Sequence, residues 1–366
     1  MSMRCWRTLK ISDLLKQLNE IAPFSDSEKW DNTGLLVGNE DDTVRGIITV
    51  LDCSADTVDE AVMQNANVII SHHPLIFPEI SKVVNEGPGL VIRKLIKNDI
   101  NLIAMHTNLD HQKNGVSHMI AAALGYPETE ILLPQKGNFK KLRVNINTED
   151  KEEFKQNLLK NAPVGDMGDY TEVSYEYEVH GQFKPEAKAN PTIGESGKLE
   201  RVDEYVIECI FDGRDHHAVV DAVRKYHPYE EPAFDVYSLD READTGLGVK
   251  FNYGDTLGSL VELIENKTGL KTVNVVKADD KIINTAAVIG GAGMSYREDA
   301  FKSGIDVLIT GDVKYHEAYD AKAAGHNIID AGHYLEVLMT SGLAELIDGQ
   351  LDVPVTASQV STNPFE

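Results

Sequence analysis

The stretch NVIISHHP, residues 67–74, is an unbroken apolar run that ends in two adjacent histidines and a proline. Its apolar residues are consecutive rather than alternating, which describes a strand covered on both faces, as in a parallel sheet. GIITVLD (46–52) and NLIAMHTNLD (101–110) have the same character. Between and around these runs lie helical patterns at 55–66, at 89–98 and near 115–124. An amphipathic helix precedes them over 11–22, with Ser12 as the expected N-cap and Leu14, Leu15, Leu18 and Ile21 on one face. The last third repeats the rhythm with AAVIGGAG (286–293), DVLITGD (306–312) and NIIDAGH (327–333). A final helix over 334–347 and a polar tail follow. The expected class is α/β, built from two similar α/β segments that together form one split domain.

The middle of the chain has another period. In YTEVSYEYEVH (170–180), Val173, Tyr175, Tyr177 and Val179 alternate with Glu172, Ser174, Glu176 and Glu178, the pattern of a strand with one wet face. With strands at 140–148, 204–212 and 232–239 and helices at 152–162 and 215–226, the order is β-α-β-β-α-β, a ferredoxin-like unit. Its central connection, 181–203, is rich in Gly, Pro and Lys and is expected to be mobile. The expected division is 1–136 and 246–366 as the two segments of the α/β domain, with 137–245 inserted.

The 366 residues carry 59 acids and 35 bases, a net charge of −24. That excess argues against a general nucleic-acid binder, including one that passes DNA through a ring. No run approaches the ~18–20 apolar residues of a membrane span, and Ser12, Asp13 and Lys16 interrupt any signal-peptide core. Cys5, Cys53 and Cys209 are odd in number and far apart, which points to a reducing, cytoplasmic compartment rather than a disulfide framework.

Ligands of open α/β sheets bind at the carboxyl ends of the strands. His72 and His73 end one strand and Asp110 ends another, four residues after His106. Asp312 is followed by His316, and His333 precedes Glu336 by three residues, within reach of one ion on a helix face. Imidazole with carboxylate suits Zn, Fe or Mn, and His72, His73, Asp110, His333 and Glu336 exceed what one catalytic zinc takes. Two divalent ions are therefore expected. His316 and His106 are candidate proton carriers, Asp312 a supporting group, and Asp31 and Asn32 lining residues beside an apolar Trp30. GGAGMS (290–295) reads as a tight turn between a strand and a helix.

SHHPLIF (71–77), MHTNLD (105–110), TGDVKYHEA (310–318), DAGHYLE (330–336) and WDNTGLLVG (30–38) together resemble the Nif-three-like family of dinuclear metal-centre proteins, also known as GTP cyclohydrolase I type 2 homologs. The resemblance covers about 1–135 and 246–366. It implies a metal pair held by His72, His73, Asp110, His333 and Glu336, and assembly as a hexameric toroid. The middle segment, ending in HPYEEPAFDVY (227–237), is similar to the CutA and PII-like trimeric domains. The expected function is a metal-dependent hydrolase whose metal-bridged hydroxide attacks a small substrate, by resemblance a nucleotide such as GTP. Glu336, His316 and His106 are its candidate catalytic groups. The alternative is a non-catalytic metal-binding regulator or adaptor whose insert senses or docks a partner.

Overall fold

The computed structural model describes residues 9–270, 273–349 and 351–365, so Cys5 lies outside the described residues. The chain is of mixed α/β class. It forms two compact units, one from Met1–Pro134 with Asp244–Glu366 and one from Gln135–Ala243.

The first unit contains two sheets. One has the order Gly34–Val37, Asn101–Ala104, Val68–Ser71, Ile47–Val50, Val355–Ala357. All of its neighbours are parallel except the Gly34–Val37 edge. The other runs Asn274–Val276, Asn327–Asp330, Val307–Thr310, Ile283–Val288, Glu242–Asp255, Glu130–Lys136, with three parallel strands at its centre. Helices Ala55–Met63 and Gly87–Lys97 connect the parallel strands of the first sheet. Arg297–Lys302 and Tyr315–Ala323 do the same in the second.

The apolar runs are continuous because both faces of each central strand are dry. Ile48, Ile69 and Leu102 pack outward under the Ala55–Met63 and Gly87–Lys97 helices. Their neighbours Ile47, Ile70 and Ile103 point inward, into a core shared with Val288, Ile309 and Ile329 of the second sheet. Helices Ile11–Ile21, Val116–Ala123, Leu257–Thr268 and Met339–Asp348 contribute to that core. Each fully buried Leu or Ile contributes about 1.5–3 kcal/mol.

Four local expectations are corrected. The first helix starts at Ile11, so Ser12 lies inside its first turn and is not the cap. The Ile11 and Ser12 amides instead donate to the carbonyls of Asp42 and Glu40, so a neighbouring loop satisfies them. The strand expected to run to Asp110 stops at Ala104. His106 (φ −110°, ψ −109°) leaves the extended region, and Thr107–Asp110 forms one helical turn. The final helix begins as a tighter 3₁₀ segment, His333–Leu338, before the α-helix Met339–Asp348. Side chains three apart nearly eclipse in that geometry, which aligns His333 with Glu336. The tail is not merely polar: Val355–Ala357 pairs in parallel with Ile47–Val50.

In the second unit the elements follow as strand, helix, strand, strand, helix, strand. Its sheet has the order Tyr175–Phe183, Glu200–Asp212, Phe139–Asn147, Phe234–Ser238, antiparallel throughout. Leu142, Val144, Ile146 and Ile207 pack with Phe154, Leu158, Val219 and Val223 of the helices Lys151–Asn161 and His216–Tyr226 on one face. The alternation at 170–180 marks the edge strand correctly but not a dry face. Tyr175 and Tyr177 stay exposed on the helix-free side, while Glu176 pairs with Lys151 and Lys155 of the first helix. Strand residues also take up both ends of the expected 181–203 connection, leaving 184–199 between them.

Candidate metal centre

Strand Val68–Ser71 hands the chain to His72 and His73, whose amides still donate to Val50 and Leu51 of the neighbouring strand. The Ser71 hydroxyl donates to the His73 carbonyl, which tightens the turn. The two imidazoles stand 5.0 Å apart. His106 lies 5.0 Å from His72 and 5.8 Å from His73, and His333 lies 5.1 Å from His73, all as ring centroids.

All four rings are fixed in the same way. The Nδ1 of His72 donates to the Met105 carbonyl at 2.9 Å, that of His73 to Asp52 at 2.7 Å, that of His106 to Asp31 at 2.9 Å and that of His333 to Asp312 at 2.7 Å. These partners are acceptors, so Nδ1 keeps a proton and Nε2, on giving up any proton it carries, is the donor atom for a cation. The Nε2 atoms of His73 and His333 lie 3.1 and 3.2 Å from Glu336 Oε2. His72 Nε2 lies 3.8 Å from Glu336 Oε1 and 3.7 Å from Asp110 Oδ1. Three sets of ligand atoms fall within 4.8 Å of one another: His72, His73 and His106; His73, His333 and Glu336; His72, Asp110 and Glu336.

His72 and Glu336 are almost fully buried, 1% and 3% exposed. Burial pushes the Glu336 carboxyl up, but the imidazoles of His333, His72 and His73 outweigh it and hold the group well below the usual carboxylate range. Burial raises Asp110, helped by the Glu336 charge. Burial disfavours the charged form of His73, yet Asp52 and Glu336 bring it up to about 10. The hydrogen bond to Glu336 raises His333 to about 9. Five carboxylates (Asp31, Asp52, Asp110, Asp312, Glu336) surround four imidazoles, so the cluster concentrates negative charge and attracts cations. Its donor set of imidazole nitrogen and carboxylate oxygen fits divalent ions of the Zn, Fe or Mn kind.

The structure thus brings together His72, His73, His106, Asp110, His333 and Glu336, and uses Asp312 as an anchor. His316 is exposed on the helix Tyr315–Ala323, in ring contact with Tyr315, and no hydrogen bond joins it to the cluster. The Asp31 side chain is buried and also accepts from the Thr107 amide and hydroxyl, while Asn32 donates to the Ile76 carbonyl. Trp30 is 58% exposed, so it is a rim residue rather than an apolar anchor, and its ring lies beside Phe77 and His106.

Two contributors were missed in the sequence. Asp52 closes GIITVLD at the same sheet edge as the double histidine, a position that could have identified it. Thr362, whose hydroxyl donates to Asp52 at 2.7 Å, carries no local signal. The glycine turn also does more than connect two elements: a Cβ on Gly290 or Gly291 would come within 2.9 or 3.0 Å of Glu336 Oε1.

The family model for DUF34/NIF3 (NGG1p interacting factor 3) matches residues 9–364. The chain belongs to the DUF34/NIF3 family. A curated family member from Staphylococcus aureus, named GTP cyclohydrolase 1 type 2 homolog, is 41% identical over 98% of this chain and 100% of its own length. The crystal structure of a Staphylococcus aureus protein superposes with a TM-score of 0.87 at 36% identity, covering 98% of this chain and 99% of that one. A Bacillus cereus protein related to NIF3 gives 0.80 at 36% identity over the same shares. Among the described residues, no helix is long and apolar enough to cross a membrane.

Proposed function

We propose that this chain is a dinuclear divalent-metal protein that hydrolyses a small substrate. The observation that carries this reading is the common arrangement of the four histidines, each tied at Nδ1, with the Nε2 atoms of His72, His73 and His333 turned toward Glu336. His73, His333 and Glu336 would hold one ion and His72, Asp110 and Glu336 the other, so that Glu336 belongs to both sets. Such ions supply Lewis acidity and a water that ionises at neutral pH. The chain's own contribution is orientation: Asp52, Asp312 and Met105 hold the rings, and Gly290 and Gly291 leave room for Glu336. His106, held by Asp31, either joins the ligands or takes the proton of the attacking water. His106→Ala separates these roles, because the first loses metal and the second loses only turnover. His316 is the proposed carrier of protons to solvent, and a His316→Ala chain with unchanged pH dependence removes it from that role.

The substrate reading is a nucleotide-like compound. The family relative's name supports it, as do the exposed rings of Trp30 and Phe77 at the rim, which offer faces for a planar base. The experiment is turnover of a nucleotide and phosphoester panel, GTP included, under Zn, Mn and Fe. The reading requires activity that tracks metal occupancy and is lost in Glu336→Ala, and turnover that ignores both rejects it.

For the architecture, we take residues 137–245 as a ferredoxin-like, CutA/PII-like insert between segments 1–136 and 246–366. The strand order of the second unit, with both helices on one face, supports this. The proposed assembly is a homohexamer, tested by sedimentation. A reducing cytoplasm fits Cys53 and Cys209, both free and buried. A separate core and cavity in the second unit favour the other reading, a metal-loaded regulator, which metal binding without turnover of any panel member would support.

A further inference from the structure

Glu204 lies on the strand Glu200–Asp212 of the second unit, on the sheet face away from the helices, and is only 8% exposed. Its carboxylate accepts from the Asn145 amide at 3.1 Å and from the Tyr229 hydroxyl at 3.3 Å, both neutral donors. Among the described residues no Lys, Arg or His forms an ion pair with it. A buried carboxylate without a cation is costly, and its two oxygens have about four acceptor positions, of which two are used.

His227, which bonds the same two residues as Glu204, is disqualified as a cation by its own bonds. His227 Nδ1 accepts from the Tyr229 amide at 3.1 Å, which leaves the proton on Nε2, where it is donated to the Asn145 carbonyl at 2.7 Å. That tautomer is neutral, and burial lowers the pKa of the ring further.

Glu204 lines a cavity of about 650 Å³, with the sheet as floor and the 184–193 stretch of the connection as cover. Phe183, Pro185, Pro191, Ile193 and Val202 supply apolar wall, and Glu186, Glu230 and Glu231 outnumber Lys184 and Lys188. On the edge strand Val179 stands opposite Glu204 and Gly181 lies diagonal to it, where any Cβ would approach Glu204 Oε2 to 3.2 Å; glycine keeps that oxygen uncrowded. The cover is fastened by the Asn190 amide to Glu230 and by the Thr192 hydroxyl to the Pro228 carbonyl.

We propose that this cavity binds a small organic cation, a primary ammonium or guanidinium on an apolar or aromatic body, with Glu204 taking the charged end. The site belongs wholly to the second unit and is independent of the metal centre.

Isothermal titration of the full chain with tyramine and phenethylamine tests this, alongside tyrosol and phenethyl alcohol, which replace the amine by a hydroxyl. The expected result is one molecule of at least one of the two amines bound per chain, with the matching alcohol at least tenfold weaker. Glu204→Gln, which keeps the shape and removes the charge, should weaken the amine tenfold or more while leaving the melting temperature and metal content as in the parent chain. Equal binding of amine and alcohol, undiminished amine binding by Glu204→Gln, or no amine binding at millimolar concentration overturns the proposal. The amine-against-alcohol comparison decides the matter on the parent chain if the variant does not fold.

Discussion

Asp52→Ala gives a graded test of how the metal centre is supported. Asp52 touches no proposed ion; it holds the His73 ring through a 2.7 Å bond to Nδ1. A hydrogen bond to a charged group contributes about 1.5–3 kcal/mol, and 1.4 kcal/mol is a factor of ten in affinity. The Asp52 side chain is 41% exposed, so water screens the interaction and the lower end applies. The expected loss is about 10–30-fold, within the range usual for groups that orient metal ligands. It should fall on one ion only, because Asp52 bonds neither to His72, which the Met105 carbonyl holds, nor to Asp110. Competition of the metal-free chain against a chromophoric zinc chelator reads both ions separately. The expected outcome is one equivalent weakened and the other unchanged. Two unchanged equivalents, or the loss of both, would refute the argument that Nδ1 anchoring sets the site's affinity.

Gly290→Ala keeps an ordinary backbone conformation but crowds Glu336 Oε1, so metal content by elemental analysis should fall while far-ultraviolet dichroism stays unchanged. Metal binding should release protons. With His73 at about 10 and His333 at about 9, both rings are protonated at pH 7.5, and ligation displaces about two protons. Because the competing protons leave as pH rises through those values, apparent affinity should climb from pH 7 toward 9; titration enthalpies that do not depend on the buffer would contradict this. Ile70→Ala, in the core shared by both sheets, should cost about 2–5 kcal/mol in urea unfolding.

The parts of the fold that could be read from sequence are those where burial is symmetrical. Runs such as VII (68–70) and VLI (307–309) are apolar at every position because helices cover one face and the opposite sheet the other. The strands that escaped reading lack that signature. Gly34–Val37 is only partly buried along its length, and Glu242–Asp255 contains three glycines, two aspartates and an asparagine, a composition that looks like a loop. At the site, strand ends pointed to the histidines and carboxylates that the fold gathers. The anchors were less visible, since the bond between Thr362 and Asp52 spans 310 residues and exists only because the tail pairs with strand Ile47–Val50. The 3₁₀ turn at His333–Leu338 was likewise hidden, because an i, i+3 spacing suits both helix types.

Equilibrium dialysis of the full chain against zinc or manganese, followed by elemental analysis, decides whether the histidine–carboxylate cluster is a two-ion site. Two ions per chain are expected, and fewer than one in Glu336→Ala, whose lost carboxylate belongs to both sets of ligands. No bound ion in the parent chain, or two ions retained by Glu336→Ala, would contradict a two-ion site.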